Sequence, residues 1–348
     1  MKPLFFIIVS MFLLYSCNTH NKRDSFLQLS SRDTIFVKPE ILETEKIHSI
    51  IWKIRIMDSL LVLLSDDGNG CLQIFKKANF EYLCTKGIYG RGPGEVSGSW
   101  IEFRATSDSI NIYDVTKSSI LICHIDDFLK DSTSSVKKNI LFDNSKYPYN
   151  IDIIPLKGLF VSRPTIKARY ALFNSEGKYL SDYLMFPEYY VNEYTDKYNY
   201  ERGKYFHVEP KPDLSKFVSV THVGGTIEIF SIKNDSIIKI VDKRYLNPDL
   251  NESTDKSLLQ EETKIGFCGL CTTDNYIYAS YSGLSNKEFI NKKILADFIV
   301  VFNWNGQIKK LYKVEGGLRS LAVDEMDKKI YIITQDSEGL DVVGLINM

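Results

Sequence analysis

The sequence repeats one pattern of short apolar strands and polar turns six times between residue 47 and the C-terminus. In each copy a strand is followed by a tight turn, a second apolar strand, a polar loop and a third strand. The tight turns are centred at Asp58, Asp108, Lys157, Asp213, Asp274 and Asp327, at intervals of 49 to 61 residues. A repeat of this length is typical of folds in which each unit packs against the next one.

The copies hold four strands each. The first copy has IHSIIWKIRI (47–56) before its tight turn and EYLCTKG (81–87) after its third strand. Apolar and polar residues alternate within the segments, and Gly, Asn and Asp separate them, which favours strands. Six such units predict an all-β, six-bladed β-propeller. The sixth copy lacks an outer strand, and DTIFVKP (33–39) could supply it and close the ring.

The N-terminus predicts an export signal that ends at a lipid attachment site. One lysine precedes an apolar run that reaches Leu14 and is too short to span a bilayer. Leu14, Ser16 and Cys17 resemble a bacterial lipobox, although Tyr15 is bulkier than the usual residue there. We expect cleavage before Cys17 and lipidation of its thiol and new amino terminus, which would anchor the protein firmly. An uncleaved anchor or plain secretion is the alternative.

The residues after Cys17 indicate the destination. Asn18 stands where an aspartate often retains lipoproteins in the inner membrane, and no acidic run follows. We therefore expect an outer-membrane anchor that faces the periplasm. The chain divides into a signal peptide (1–16), a lipidated tether (17–31) and the propeller domain (32–348).

The charge balance and the cysteine count limit the function further. Lys and Arg number 43 against 44 Asp and Glu, without a basic stripe, so nucleic acid is not an expected partner. Five cysteines remain after lipidation, so at least one thiol is free. Cys71 and Cys84 would face each other if Lys76–Asn79 formed the turn between their strands. They are predicted either as a cross-strand disulfide or as two buried thiols.

The CxxC pair, Cys268 and Cys271, has a spacing that can serve redox chemistry or half of a zinc site. A second CxxC or a pair of nearby histidines does not accompany it in the sequence. We therefore expect two structural thiols.

The glycine-rich stretch GIYGRGPGEV (87–96) lies between the first and second copies. It lacks the Lys-Ser/Thr and the following helix of a phosphate-binding P-loop, so nucleotide binding is excluded. Gly90, Gly92 and Gly94 permit close backbone approach and Pro93 stiffens the path, so we interpret the stretch as a structural loop. Arg91 and Glu95 are predicted to form a salt bridge between blades. In the alternative, Arg91 points into the central funnel towards an anionic ligand.

This loop, behind a lipobox, resembles that of the TolB-like six-bladed β-propeller lipoproteins of Gram-negative bacteria. The repeat pattern extends the resemblance over residues 33–348, but its specific motif is only Gly90–Glu95. The resemblance implies the propeller and a location in the cell envelope. It implies no common activity, so no catalytic residue is carried over.

The loops between second and third strands should converge on the face that carries the glycine-rich loop. Their oxygen ligands could hold a divalent cation, although aspartate is also an ordinary turn residue. The polar candidates are Asp66, Asp67, Asp114, Arg163, His222, Tyr281 and Asp336. The sequence has no GxSxG or HExxH motif, so serine hydrolysis and zinc proteolysis lack support.

Two long connections interrupt the repeat. The first, residues 186–210, holds six tyrosines, with Tyr183 just before it, and could stack on sugars, dock a protein or pack on its own propeller. The second, residues 245–267, contains DKSLLQEETK, which could form a short helix. Long connections in compact domains are usually functional or disordered.

Two functions remain open. The first is a lipid-anchored envelope propeller that binds a protein or glycan, without catalysis and without a cofactor. The second is a metal-assisted hydrolase or lyase of the lactone or ester class. It would work in the central funnel with a divalent cation and the side chains Asp66, Asp114, Arg163, His222 and Asp336.

Overall fold

The computed structural model confirms the six-bladed β-propeller. It describes residues 34–42, 50–65, 68, 70–92, 94–98, 101–105, 109–130, 136–146, 150–164, 168–185, 206–223, 225–233, 236–246, 261–292 and 295–348. Two strands, β1 (Thr34–Val37) and β2 (Glu40–Leu42), precede the first blade. The predicted signal peptide, Cys17 and the tether lie outside the described residues.

The first three blades are antiparallel sheets whose strands follow one another along the chain. Blade one holds β3 (Ile51–Met57), β4 (Leu60–Ser65), β5 (Leu72–Lys76) and β6 (Tyr82–Lys86). Blade two holds β7 (Ile101–Ala105), β8 (Ser109–Asp114), β9 (Ser119–His124) and β10 (Val136–Leu141), with the helix α1 (Ile125–Lys130) before β10. Blade three holds β11 (Asn150–Leu156), β12 (Leu159–Pro164), β13 (Ala168–Asn174) and β14 (Tyr179–Met185).

The last three blades repeat this order. Blade four holds β15 (Phe206–Pro210), β16 (Lys216–Thr221), β17 (Thr226–Lys233) and β18 (Ser236–Arg244). Blade five holds β19 (Phe267–Thr272), β20 (Tyr276–Tyr281), β21 (Ala296–Asn303) and β22 (Ile308–Leu318), with the helix α2 (Asn286–Asn291) before β21. Blade six holds β23 (Ser320–Val323), β24 (Lys329–Gln335) and β25 (Asp341–Asn347).

The repeat phase read from the sequence is confirmed by the turns between first and second strands. Asp58 and Asp327 lie in such turns with φ of 50° and 55°, a conformation that Asp tolerates better than most residues. In blade three, Gly158 takes the same role directly after Lys157, with φ of 74°. In these three blades the predicted turn therefore joins the first, innermost strand to the second strand.

Six apolar clusters join the six pairs of neighbouring blades. One cluster packs Val62 and Ile74 of blade one against Phe103 of blade two. Corresponding clusters follow around the ring, at blades two and three, three and four, four and five, and five and six. The sixth cluster packs Phe75 of blade one against Tyr331 of blade six, so the ring is closed by apolar burial.

The N-terminal strand closes the ring as predicted, but with other residues. The outer strand of blade six is β2, where Ile41 pairs with Gly344 of β25. The predicted segment, DTIFVKP, instead places β1 on the outside of blade five, parallel to β22. Gly344 permits this path, since a Cβ there would lie 2.8 Å from Cβ of Pro39.

Of the two alternatives for Cys71 and Cys84, the disulfide is not formed, and the thiols are separate, that of Cys71 buried and that of Cys84 half-buried. Cys84 pairs across the strands with Ile74 instead. Phe80 adopts φ of 57° and the connection between β5 and β6 runs to residue 81, so the register differs from that of the expected four-residue turn. Cys71 Sγ donates to the carbonyl oxygen of Gly87 at 3.3 Å.

No helix among the described residues is long and apolar enough to cross a membrane.

Truncation tests the closure. A chain that begins at residue 43 lacks β1 and β2 and should lose on the order of 3 kcal/mol of unfolding free energy, through lost strand hydrogen bonds and the packing of Leu42. A chain that begins at residue 38 lacks only β1 and is the matched control, with a smaller loss. Equilibrium urea unfolding measures both, and equal losses would contradict the assignment of β2 as the closing strand.

Candidate functional site

Charged side chains line the axis of the propeller on the first strands of blades one to four. They stand at alternate positions, Lys53 and Arg55 on β3 and Glu102 and Arg104 on β7. Strand β11 adds Asp152, and β15 adds His207 and Glu209. Because side chains two residues apart in a strand share a face, each strand presents its charges together.

The lower charged layer, the axial network, consists of Arg55, Arg104, Asp152 and Glu209. Arg104 donates from both terminal nitrogens to Asp152, at 2.9 and 2.8 Å, and its Nε lies 3.4 Å from Glu209. Arg55 donates to the other carboxylate oxygen of Glu209. All four residues are less than a tenth exposed. Since blades one and four are opposite in a ring of six, the pair of Arg55 and Glu209 crosses the axis.

The carboxylates of this network are held in the charged form. Burial alone would raise the pKa of Asp152, but the charge and hydrogen bonds of Arg104 outweigh it and lower that pKa. Burial also opposes ionisation of Glu209, and Arg55 and Arg104 together lower its pKa below the usual value. Arg104 further donates to the carbonyl oxygens of Ile153 and Val208, at 3.1 and 3.2 Å. The network is thus both neutralised and fixed in position.

The upper layer, the funnel floor, consists of Lys53, Glu102 and His207, each two residues before a member of the axial network on the first strands β3, β7 and β15. Arg163 lies on the second strand of blade three, β12. Lys53 donates to Glu102, and their side chains are 19% and 25% exposed, against 10% or less in the axial network. Burial lowers the pKa of His207 to about 3, and the positive charges of Arg163 and Lys53 lower it further. The imidazole of His207 is therefore neutral at physiological pH.

Asp114 lies at the end of β8 and is fully buried. Its carboxylate accepts from the backbone N–H and hydroxyl of Ser97, at 2.7 and 2.6 Å, and from the backbone N–H of Lys117 at 3.0 Å. These bonds attach Ser97, which follows the glycine-rich stretch, to blade two. This arrangement agrees with the interpretation of Asp114 as a turn residue whose carboxylate bonds within the scaffold.

The glycine-rich loop is closed by Glu95. The Glu95 carboxylate accepts from the backbone N–H of Gly92 at 2.7 Å. Lys117 Nζ donates to the backbone carbonyl oxygen of Glu95 at 2.6 Å. A Cβ at Gly90 would lie 2.0 Å from Glu95 Oε2, so the glycine is needed for the carboxylate to fold back. Glu95 thus bonds to backbone where a salt bridge with Arg91 was predicted, and Arg91 is exposed. Gly94 has φ of 78°, and Pro93 lies outside the described residues.

His222 lies after β16, on the face of the propeller that carries the glycine-rich loop. Its Nδ1 is 3.8 Å from Sγ of Cys268, and its ring packs edge-on against Phe289 at 5.0 Å between centroids. Burial lowers the pKa of His222 to about 4. Burial also raises the pKa of the Cys268 thiol, and that of Cys271 to about 11, which agrees with structural thiols.

The remaining candidates do not converge with these. Tyr281 is buried at the end of β20 and packs edge-on against Phe267 at 5.4 Å. Asp336 accepts from the backbone N–H groups of Glu338 and Leu340, both at 2.9 Å, as a turn residue does. Asp66 and Asp67 lie outside the described residues. Within the described part of the chain, no three His, Cys, Asp or Glu side chains are grouped to hold a metal ion.

The sequence prediction did not include the charged residues of the first strands. Charged residues at alternate positions of otherwise apolar first strands, as in IWKIRIM and IEFRA, were the signal available. Burying a charged side chain in an apolar strand costs free energy unless the charge is paired. The regular spacing of these charged residues therefore indicates that they face one another in a polar interior.

A double-mutant cycle tests the glycine-rich loop. Gly90→Ala should displace the Glu95 carboxylate from Gly92 and cost about 1.5–3 kcal/mol, the value of one charge-assisted hydrogen bond. In a Glu95→Ala background the same change should cost much less, because the clash is gone. Urea unfolding of the four proteins measures the coupling, and equal costs in both backgrounds would contradict the contact.

The axial network predicts a large effect at Glu209. Glu209→Gln leaves Arg55 and Arg104 without that buried charge and should cost about 3–5 kcal/mol of unfolding free energy. Because the folded-state pKa of Glu209 is lowered, its contribution is full above about pH 4.5 and is lost as the pH falls through the folded-state value. The difference from wild type should therefore shrink in acid.

The matched control is Glu315→Gln, whose carboxylate pairs with Lys38 and is 66% exposed. It should change stability by less than about 0.5 kcal/mol. A similar cost for both substitutions would contradict the buried character of the axial network.

Comparison with known proteins agrees with this architecture. A comparison with curated protein sequences gives no match. The crystal structure of an exported protein from Bacteroides fragilis NCTC 9343 is similar with a TM-score of 0.57 at 13% identity, over 90% of this chain and 99% of that chain. The structure of U3-55K reaches a TM-score of 0.48 at 9% identity, over 92% and 99% of the two chains, too low to carry an argument. The family described as TolB-like 6-blade propeller-like matches residues 34–326, and the chain belongs to this family.

Proposed function

We propose that the protein is a lipid-anchored propeller of the bacterial envelope that binds a protein or a glycan and catalyses no reaction. The export signal and lipobox at Cys17 support the envelope location, as does the similarity to a Bacteroides fragilis protein described as exported. Asn18 supports the outer membrane, with the propeller in the periplasm.

The observation that carries the binding function is that the polar candidates in the described part of the chain form hydrogen bonds within the propeller itself. Asp114 holds Ser97, Asp336 holds its own turn, and Glu95 holds Gly92. Below them, the axial network pairs its carboxylates with arginines. These acidic side chains stabilise loops and form ion pairs at the axis. A propeller whose loops are held in this way offers a rigid surface for binding.

The tyrosine-rich connection is the part of the platform that we expect to contact the partner. It joins β14 of blade three to β15 of blade four, and residues 186–205 of it lie outside the described residues. First strands of propeller blades begin at the face where the funnel opens, so both ends of this connection belong to that face. Tyrosine side chains supply rigid contact area with a polar tip for proteins and sugars alike.

A capture experiment tests the function. The full-length lipoprotein, extracted from membranes in detergent, serves as bait for envelope proteins and for a glycan array. Replacing residues 187–204 with a short Gly-Ser linker should reduce capture at least about tenfold, since clustered aromatic residues carry most of the energy of such contacts. Replacing residues 247–260, in the other long connection, is the matched control and should leave capture unchanged.

The metal-assisted alternative predicts catalysis that depends on a bound metal ion. A hydrolase or lyase would hold a stoichiometric divalent cation and turn over lactones or esters in a chelator-sensitive way. Such turnover by the purified full chain, lost in His222→Ala, would overturn the binding function. Equal capture by the two linker variants would show that the tyrosine-rich connection does not contribute to binding.

A further inference from the structure

We propose that the outer edge of blade five, formed by β1, lies on the anionic phospholipid surface of the membrane that holds the lipid anchor. The contacting side chains are Ile35 and Phe36 of β1, together with Lys310 and Lys313 of the neighbouring strand β22. The contact rests on the lipid anchor of the proposed function and adds an orientation of the propeller to it. It does not involve the funnel.

The edge formed by β1 is apolar and exposed. β1 is the last strand of a five-stranded sheet and pairs with β22. Ile35 and Phe36 are 45% and 74% exposed. Adjacent side chains of a strand point to opposite faces, so both faces of this edge present an apolar group. An exposed apolar sheet edge is prone to aggregation unless another surface covers it.

A lysine flanks the apolar edge on each face of the sheet. Phe36 pairs with Lys313, whose Nζ lies 5.8 Å from the centre of the Phe36 ring. On the other face Ile35 pairs with Tyr312, and Lys310 Nζ lies 5.9 Å from the centre of the Tyr312 ring. Apolar side chains that enter the headgroup region, with lysines beside them to meet the phosphates, are typical of proteins that bind an anionic bilayer at its surface.

The charge around the edge is positive overall. Residues 34–42 and β22 together carry two glutamates, Glu40 and Glu315, and four lysines, Lys38, Lys309, Lys310 and Lys313. Lys38 and Glu315 pair with each other at 3.3 Å, and both are exposed. The excess of lysine favours an anionic lipid surface over a neutral one.

The position of the anchor favours the membrane as the surface that covers this edge. Residues 18–33 separate Cys17 from the start of β1 at Thr34. A linker of this length reaches at most about 60 Å, and its span averages about 20–25 Å as a random coil. β1 is the first strand after the anchor. Because a tethered contact forms at a high effective concentration, even a weak one orients the propeller.

The contact would place the propeller axis along the bilayer, so that the funnel opens sideways. In a ring of six, blade two is opposite blade five, and blade three is opposite blade six. Strand β14, from which the tyrosine-rich connection departs, belongs to blade three. The connection would therefore leave the propeller on the side away from the membrane, where a partner can reach it.

The outer strand of blade two, β10, is the matched control. It also carries an exposed apolar residue, Leu141, and two exposed lysines, Lys137 and Lys138. Composition therefore does not distinguish this edge from that of blade five, but the position of the anchor does. Since blade two is opposite blade five, β10 should face away from the bilayer.

Fluorescence quenching in liposomes tests the contact. The full-length lipoprotein with Phe36→Trp is reconstituted into vesicles of phosphatidylethanolamine and phosphatidylglycerol whose acyl chains carry bromine. Wild type measures the background of the three native tryptophans. The tryptophan introduced at position 36 should be quenched at least about twofold more than one introduced by Leu141→Trp, because a side chain in contact lies about 5–10 Å into the headgroup and acyl boundary.

The role of charge is tested in the Phe36→Trp background. Replacing both lysines, Lys310→Gln with Lys313→Gln, should reduce the quenching by about half or more, and so should vesicles of neutral phosphatidylcholine, because the attraction between lysine and anionic lipid is lost. The double substitution Lys137→Gln with Lys138→Gln is the control and should leave the quenching unchanged. Far-UV circular dichroism confirms that each variant is folded.

Four outcomes would count against the contact. Equal quenching at positions 36 and 141 would overturn the orientation, and quenching that does not depend on the lysines would overturn the anionic lipid. A blue shift of the introduced tryptophan that grows with protein concentration in lipid-free detergent would show that a second copy covers the edge instead. If the protein does not float with the vesicles, the lipid anchor and the contact fail together.

The capture experiment separates the contact from the proposed function. A protein that floats with the vesicles and captures its partner, but shows no quenching at position 36, would leave the proposed function standing and overturn the contact alone. Quenching at position 36 without capture of any partner would support the contact and remove the support for the binding function.

Discussion

The packing of apolar blade faces around a closed ring is the interaction on which the rest of the structure depends. A single blade cannot bury both of its faces, so each of the six clusters belongs to two blades at once. The ring has one interface that chain order does not supply, between blade six and blade one. The pairing of β2 with β25 completes the sheet of blade six and places Leu42 against that interface. The closure of the ring is therefore supported both by apolar packing and by a three-residue strand near the N-terminus.

The closed ring also explains why charges can occupy the axis. First strands of the blades surround the axis, and Arg55 of blade one reaches Glu209 of blade four across it. Arginine and glutamate are long enough to cross, and a buried charge is tolerated only when it is paired and hydrogen-bonded. Arg104 satisfies this condition with Asp152, Glu209 and two backbone carbonyl groups. The axial network thus joins blades one to four across the axis.

The sequence predicted what depends on local pattern. Turn residues such as Asp58 and Asp327 and the alternation within strands are local, so the six blades and their phase followed from them. The register between β5 and β6 could not be predicted in this way, because it depends on the backbone conformation of Phe80. The parallel addition of β1 to blade five could not be predicted either, because nothing in TIFV distinguishes one outer edge from another. The pairing of Arg55 with Glu209 requires the ring itself, since 154 residues separate the two in sequence.

The charged axis is also asymmetric. The first strands of blades five and six, FCGLCT and SLAV, carry no charged residue, whereas those of blades one to four carry the charges of the floor and of the axial network. The connection of residues 186–205 leaves blade three and returns to blade four, on the charged side of the ring. The strands that lead into and out of this connection, β14 and β15, therefore belong to blades with charged first strands, unlike blades five and six, whose first strands are uncharged.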